Sequence, residues 1–582
     1  MIRRYGRGLI PTLLVAMLVL SACGGRADLP TPRPTATVAQ LPTATTSPST
    51  PTALPATPTP VPATATPTPQ RATPTPPGPA IKRGGTLNLG VYLDSPTLDI
   101  QKVRFTLATQ SMYSSMNTLI QDDPATHKQV VGDLAESWNV SGDGLTYTFN
   151  LRKDVQWSDG QAFSAQDVLY SFNRILDDSL QPPSQLRNRL SLVSKIEAPS
   201  DSVVRLTLKS KSASFLSQIA DIFMVIYPKH RPFPEFDSNP VSTGPFRIVS
   251  RTSASGVELT RNDRYFAKGK DNLPYLDGLK IILVTDQTLH LAAFKTGRLD
   301  VTDRGSVMPG STKTDVRKAV PNVQIFPYLS SANTLIFQNR GITADPRFRE
   351  AVDLAIDRSA MVALGEAGSS ITAVAIGGAS IPASLGGAWG LPADELARLP
   401  GYRQPKTDDI ERAKALIRDL NLSGPVKLTY HTITDSFTVV KDQLTKIGVN
   451  MELEQLQFGV QVDRLITGNF QLGYAGVAPP FDDPTYVMSG LYKTGGAFNY
   501  GKWSVPEIDS LIAQQDASLD PVERKKLVTD LERQMINSHI APVLWWGGGS
   551  HYWQPYVMNS RAKGAPLLYS NVSRYQEVWL DR

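Results

Sequence analysis

Between Pro30 and Ala80 the chain carries 16 prolines and 15 threonines, and its only charged residues there are Arg33 and Arg71. Proline fixes φ and donates no backbone hydrogen bond, and a stretch so poor in large apolar residues has nothing to bury. It is predicted to stay extended as a spacer, able to reach up to roughly 150 Å at about 3.1 Å per residue. Its threonines also permit O-glycosylation. Whatever folds into a core must therefore lie beyond it, in Ile81–Arg582.

The segment before the spacer reads as an address. Met1–Arg7 is short and positive, and Leu9–Leu20 is apolar but too short to span a bilayer. It ends on Leu20-Ser21-Ala22-Cys23-Gly24, a lipobox pattern that contains the only cysteine of the chain. The expectation is a lipoprotein signal peptide over 1–22, export by the general secretory route, a lipidated Cys23, and a tether over 23–80. Two or more acyl chains would then hold the protein at the extracytoplasmic face of a bacterial cell membrane.

Composition narrows the function classes. Hydrophobic residues at 41% and charged residues at 19% over 582 residues exclude a polytopic membrane protein and call for at least two lobes. One cysteine excludes a disulfide scaffold, an iron–sulfur cluster and a Cys-rich zinc site. The net charge of +6 falls to +3 without Arg3, Arg4 and Arg7, and no basic block tracks phosphates, so no nucleic-acid partner is expected. The spacings of nucleophile elbows, phosphate loops and dinucleotide folds are missing. Lys493-Thr494-Gly495 resembles one element of penicillin-recognising enzymes, but its SxxK partner occurs only as Ser560–Lys563, in the wrong order. The six histidines are scattered. No enzymatic activity, cofactor or metal site is expected.

Local patterns alternate between strand and helix. Leu87, Leu89 and Val91 alternate with polar or small residues; Tyr147, Phe149 and Leu151 do so after the turn Ser141–Gly144. Ser164 is placed to cap a helix bearing Val168, Phe172 and Ile175, and Asp408 with Glu411 has the spacing of a capping box. Val449, Met451 and Leu453 read as a half-buried strand. Mixed order over some 500 residues predicts an α/β protein of two or more lobes.

Specific motifs then add a resemblance. Leu134-Ala135-Glu136-Ser137-Trp138, Ser141–Phe149, Leu151–Gly160 with Trp157, and Phe163–Val168 follow in one run. Gly84–Leu87, Thr97–Asp99, Tyr227–His230, Ser242–Phe246, Leu273–Gly278, Gly297–Asp300, Asp345–Arg349, Ala355–Arg358 and Leu444–Val449 keep the same order. The run closely resembles the extracellular solute-binding proteins, family 5, of ABC importers, the oligopeptide, dipeptide and nickel type, over essentially Ile81–Arg582. The resemblance implies a two-lobed α/β fold of the periplasmic-binding-protein kind (type II, large cluster C) with an accessory domain. Lobe I would comprise 81–123, 237–325 and a return at 553–582, the accessory domain 124–236, and lobe III 326–552. Such a protein closes on a small solute, with short peptides as the default, and delivers it to a permease driven by ATPase subunits. It is expected to be a monomer.

The motif tryptophans Trp138 and Trp157 are expected to be structural. Candidate ligand contacts are Tyr92 and Ser95 after the first strand, Tyr113, Asn339, and Tyr474, Gly476, Val477, Phe481, Asp482 and Asp483 on the stretch Gly473–Pro484, with Trp545 and Trp546. In peptide-binding members, a Gly–aromatic stretch is soon followed by an aspartate that pairs with the peptide amine; by register Val477 stands there. Either Asp482 or Asp483 substitutes for it, or the ligand has no free amine, because a buried ammonium without a carboxylate costs several kcal/mol. An oligosaccharide or other organic solute is the alternative ligand. A signalling subunit that presents ligand without import is the alternative of another class.

Overall fold

The structure, a computed structural model, describes residues 80–582 except 104, 124–128, 181–183, 185, 269–271, 303–310, 367–372, 421, 423, 431–434 and 560–573. The expected signal peptide, the lipidation site Cys23 and the tether lie outside the described residues.

Eleven strands form one mixed sheet, ten in a row and Ala373–Ala375 paired beside Val543–Trp553. One half orders Met451–Gln455, Val426–Tyr430, Leu472–Val477 and Gln324–Phe337; the other orders Val301–Thr302, Thr86–Val91, Gly278–Leu283, Gly256–Arg261 and Phe246–Thr252. Between them runs Val543–Trp553, which pairs antiparallel with Gln324–Phe337 along most of its length and touches the other half through Val301 opposite Trp553. Ten of its eleven residues are buried, so both faces of this strand are covered. Large apolar residues at its ends, Val543–Trp546 and Tyr552–Trp553, and small residues at Gly547–Ser550 between them let both faces close, because successive side chains point to opposite faces.

That alternation separates two cores. Leu335, Phe337, Leu428, Leu472, Tyr474 and Trp545 pack on one face, and Ile336, Ala475, Val477 and Trp546 on the other. A third core joins Leu87–Ile120 to Tyr147–Phe236 and Phe246–Ile281, and takes in Trp553, Val557 and Leu580 from the end of the chain. A second, antiparallel sheet of Ala135–Val140, Thr146–Leu151, Val203–Leu208 and Val193–Ser200 belongs to this third core. Trp157 is fully buried there and Trp138 packs 6.4 Å from Phe149.

Local signals were mostly realised. Ser164 caps the helix Ala165–Leu176 in a capping box with Asp167. The other expected box did not form. The helix Thr407–Arg418 starts without a side-chain cap, and it is Asp409 that turns inward, accepting from Gly401 N at 3.0 Å and pairing with Arg403 and Lys406. Two nearby cations, Arg403 and Lys406, hold this carboxylate inward.

Candidate functional site

Gly476, the penultimate residue of the strand Leu472–Val477, is exposed, and the chain then crosses Ala478–Phe481 into the helix Pro484–Tyr492. This crossing faces residues 188–223, which belong to the other core. Two adjoining cavities open between them and share Pro480 and Phe481 as a common wall.

The larger cavity, about 600 Å³, is lined on one side by Asn188, Arg189, Ser214, Gln218 and Phe223, and on the other by Gly476, Phe481, Thr485, Tyr486, Lys493 and Phe498. Arg189 pairs with Asp221 at 3.0 Å, both side chains almost fully buried, and its guanidinium lies 5.1 Å from the ring centre of Tyr486 and 5.8 Å from that of Phe481. A charge already matched on its own side thus stacks on rings of the opposite wall. Beside the cavity, Asp516 Oδ1 accepts from Ser212 Oγ at 3.1 Å and Ser214 Oγ at 2.8 Å, and its carbonyl from Ala213 N at 2.6 Å.

The smaller cavity, about 140 Å³, contains Asp122, Asp221, Ala388, Trp389, Asp482, Asp483 and Arg524 among its lining residues. The two adjacent aspartates differ in role. Asp483 caps the helix by accepting from Thr485 N at 2.9 Å and holds Arg524 through both carboxylate oxygens at 2.9 and 2.8 Å. Asp482 accepts from Ala388 N at 2.7 Å, while its carbonyl accepts from Trp389 Nε1 at 3.0 Å. Burial pushes the Asp482 carboxyl up to about 7, with the charges of Asp483 and Asp122 adding to the rise against the Ala388 donor. An acid poised this way gains when a cation approaches.

The 388–391 segment is held from behind as well. Glu532, fully buried, accepts from Ser380 N and Leu391 N at 2.9 Å each, and burial pushes it up to about 7. Lys525 Nζ donates to Ala388 O at 2.7 Å.

The expected contacts divide. Gly476, Phe481, Asp482 and Asp483 line these cavities. Val477 does not follow its register: its side chain is buried in the core with Trp546. Trp546 is fully buried and donates Nε1 to Gly378 O at 3.0 Å; Trp545 is buried on the opposite face beside Phe437. Tyr474 is buried with Trp545, its hydroxyl donating to Asn333 Oδ1 at 2.5 Å. Tyr113 packs under Arg574, which pairs with Asp133 at 2.6 Å, so it belongs to a core. Ser95 is buried and donates to Thr97 O at 2.6 Å. Asn339 lies beyond Phe337, which pairs with Leu472 at the strand end opposite Gly476. Tyr92 follows the first strand, half-buried. On this strand the withdrawals follow its period: Tyr474 turns into one core and Ala475 and Val477 into the other, leaving Gly476 at the gap.

Sequence reasoning missed Arg189, Asp221, Phe223, Tyr486 and Phe498. Their flanking sequence carries no motif, and only tertiary contact brings 188–223 to 476–498. Lys493 had a signal, the Lys-Thr-Gly triplet, but it pointed to another chemistry. Among the described residues, no group of three or more His, Cys, Asp or Glu is placed to hold a metal ion.

Residues 129–499 match the family described as bacterial extracellular solute-binding proteins, family 5 Middle. The chain is 25% identical over 458 residues to the dipeptide-binding protein of Escherichia coli, covering 72% of this chain and 80% of that one. It is also 25% identical over 485 residues to heme-binding protein A of Haemophilus influenzae, covering 77% and 83%. Among solved structures it is similar to the periplasmic binding protein DppA of Helicobacter pylori in complex with the peptide STSA, with a TM-score of 0.70, 21% identity, and 86% and 99% of the two chains covered. The fold is thus the type II periplasmic-binding-protein fold, and the chain belongs to the bacterial extracellular solute-binding proteins, family 5.

Proposed function

We propose that this protein is the lipid-anchored receptor of an ABC importer for short peptides, gripping the ligand amine at Asp482 and carrying out no bond chemistry. Relatives of equal identity carry the names of a dipeptide binder and a heme binder, so overall similarity does not choose the ligand and the site must. The observation that carries the reading is the division of labour between two adjacent acids. Asp483 is consumed by Arg524 and its helix, whereas Asp482 lines the cavity with its carboxyl raised to about 7 by burial. An ammonium there would restore the ionised form and gain a charge-assisted hydrogen bond.

The proposed lobes are 81–123 with 237–325 and 553–582, an accessory domain at 124–236, and 326–552. The strands Gln324–Phe337 and Val543–Trp553 would form the hinge, which fits their central place in the sheet. Ligand touching both walls favours the closed state by its differential affinity, and only that state need engage the permease. Cys23 would carry the anchor and 23–80 the leash.

The test is titration calorimetry with alanine di- and tripeptides. Asp482→Asn is expected to weaken binding at least tenfold, which corresponds to about 1.4 kcal/mol. Unchanged affinity would remove Asp482 from the site. Anchoring is read separately, by loss of labelled palmitate incorporation in Cys23→Ser cells.

A further inference from the structure

We propose that the larger cavity is a specificity pocket for a neutral aromatic or bulky apolar group of the ligand, with Tyr486 and Phe498 as the residues that select it. The inference deepens the solute-receptor reading above and rests on it. Phe481, Tyr486 and Phe498 form a consecutive series of rings, with centroids 6.4 and 6.0 Å apart and planes inclined at 66° and 65°. Such edge-to-face packing makes one continuous aromatic wall, which favours an aromatic or apolar guest. Phe223 closes the cavity from the opposite wall.

The buried charge present argues against an ionised guest, and the remaining cation of the lining, Lys493, is exposed to solvent, which screens it. Arg189 is already matched by Asp221 and covers the Tyr486 ring, so the pocket offers no unmatched buried charge from that pair. A volume of about 600 Å³ exceeds what a methyl group fills and lies within the range of ligand pockets.

The walls come from two separate cores, so the pocket is complete only when they meet. An aromatic group in it touches both walls and therefore favours the closed arrangement, whereas alanine reaches too little of either. The position of Phe498 is itself set by Gly490: a Cβ on Gly490 would fall 2.6 Å from Phe498 Cδ2 and force that ring to shift.

The test uses the full-length protein, titrated with Ala-Ala-Ala, with tripeptides bearing Phe or Asp at each position in turn, and with the uncharged N-acetyl-phenylalanine amide. At least one Phe tripeptide is expected to bind roughly ten- to a hundredfold tighter than Ala-Ala-Ala, with no gain from Asp. Tyr486→Ala and Phe498→Ala should each remove most of that preference, read within each variant as the ratio of Phe-tripeptide to Ala-Ala-Ala affinity, and Gly490→Ala should reduce the ratio without removing a ring. Equal affinity for Phe and Ala peptides, or a preference surviving both ring deletions, overturns the pocket while the peptide reading stands. If no peptide binds, the peptide reading falls. The pocket is then upheld by binding of the neutral amide that Tyr486→Ala abolishes, and overturned if the amide does not bind.

Discussion

The guanidinium of Arg189 stands 5.1 Å from the ring centre of Tyr486 across the gap, while pairing at 3.0 Å with Asp221 on its own side. A matched, largely desolvated charge can rest on an aromatic face without the cost of an orphaned ion. Asp221 also accepts from Phe223 N at 3.1 Å, which keeps its carboxylate oriented. The two walls thereby meet through a contact that needs no ligand.

Asp221→Asn would leave the guanidinium buried without its counter-charge. We expect a loss of about 3–5 kcal/mol, the usual range for a broken buried pair. Denaturant unfolding measures it. The double variant Arg189→Met with Asp221→Asn should recover most of the loss, because no buried charge is then left without a counter-charge. A double variant as unstable as the single one would contradict this account.

Asp516 ties the two walls at a second point, through Ser212, Ala213 and Ser214. Asp516→Ala removes the side-chain part and spares the Ala213 bond. Its expected effect is a larger radius of gyration of the ligand-free protein in X-ray scattering, restored by saturating ligand. A radius that does not change would show that these bonds do not bias closure.

Stability should fall between acid and neutral pH. Glu532 is raised to about 7 from an ordinary 4.5, so it holds a proton in the folded chain that the unfolded chain releases. Its contribution is full below about 4.5 and lost as the pH rises through about 7, an effect of order 3 kcal/mol. Glu532→Gln should flatten the melting temperature between pH 5 and pH 8. A slope identical to wild type would exclude Glu532 as its origin.

The opposite sign holds at Asp353. Burial alone would raise it, but the charge of Arg358 at 2.5 Å and His539 at 2.7 Å outweigh burial and hold it at about 2, below an ordinary 3.8. The stability it supplies is present above pH about 4 and is lost as the pH falls through about 2, an effect of order 2 kcal/mol. Asp353→Asn should therefore cost most of that stability at pH 7 and only a small part of it near pH 2 by urea unfolding.

Ligand binding should release protons near neutrality. A peptide ammonium at Asp482 favours its ionised form and draws the carboxyl down from about 7. Calorimetry at pH 6.5 in buffers of different ionisation heat should give buffer-dependent enthalpies. Asp482→Asn should abolish the dependence; a dependence that persists would locate the proton elsewhere.

How much was legible is seen in particular residues. The strand alternation at Leu87, Leu89 and Val91 and the Ser164 cap are local, and local sequence stated them correctly. Gly476, Phe481 and Asp482 were legible as a segment, since a strand end followed by Pro479-Pro480 must leave the sheet. Val477 and Trp546 were not, because register places a residue along a strand but the face it turns to depends on which partner strands cover it.

By itself the sequence determined that a large mixed α/β body follows a Thr/Pro-rich stretch, the family, and the segment from which one wall is made. These follow from composition, period and local turn chemistry, which act over a few residues. Tertiary structure alone decided that Arg189 meets Tyr486, that Asp483 is spent on Arg524 while Asp482 is left at the cavity, and that Tyr474 and Trp545 turn away into a core. Those outcomes depend on burial and charge matching between segments that lie far apart along the chain.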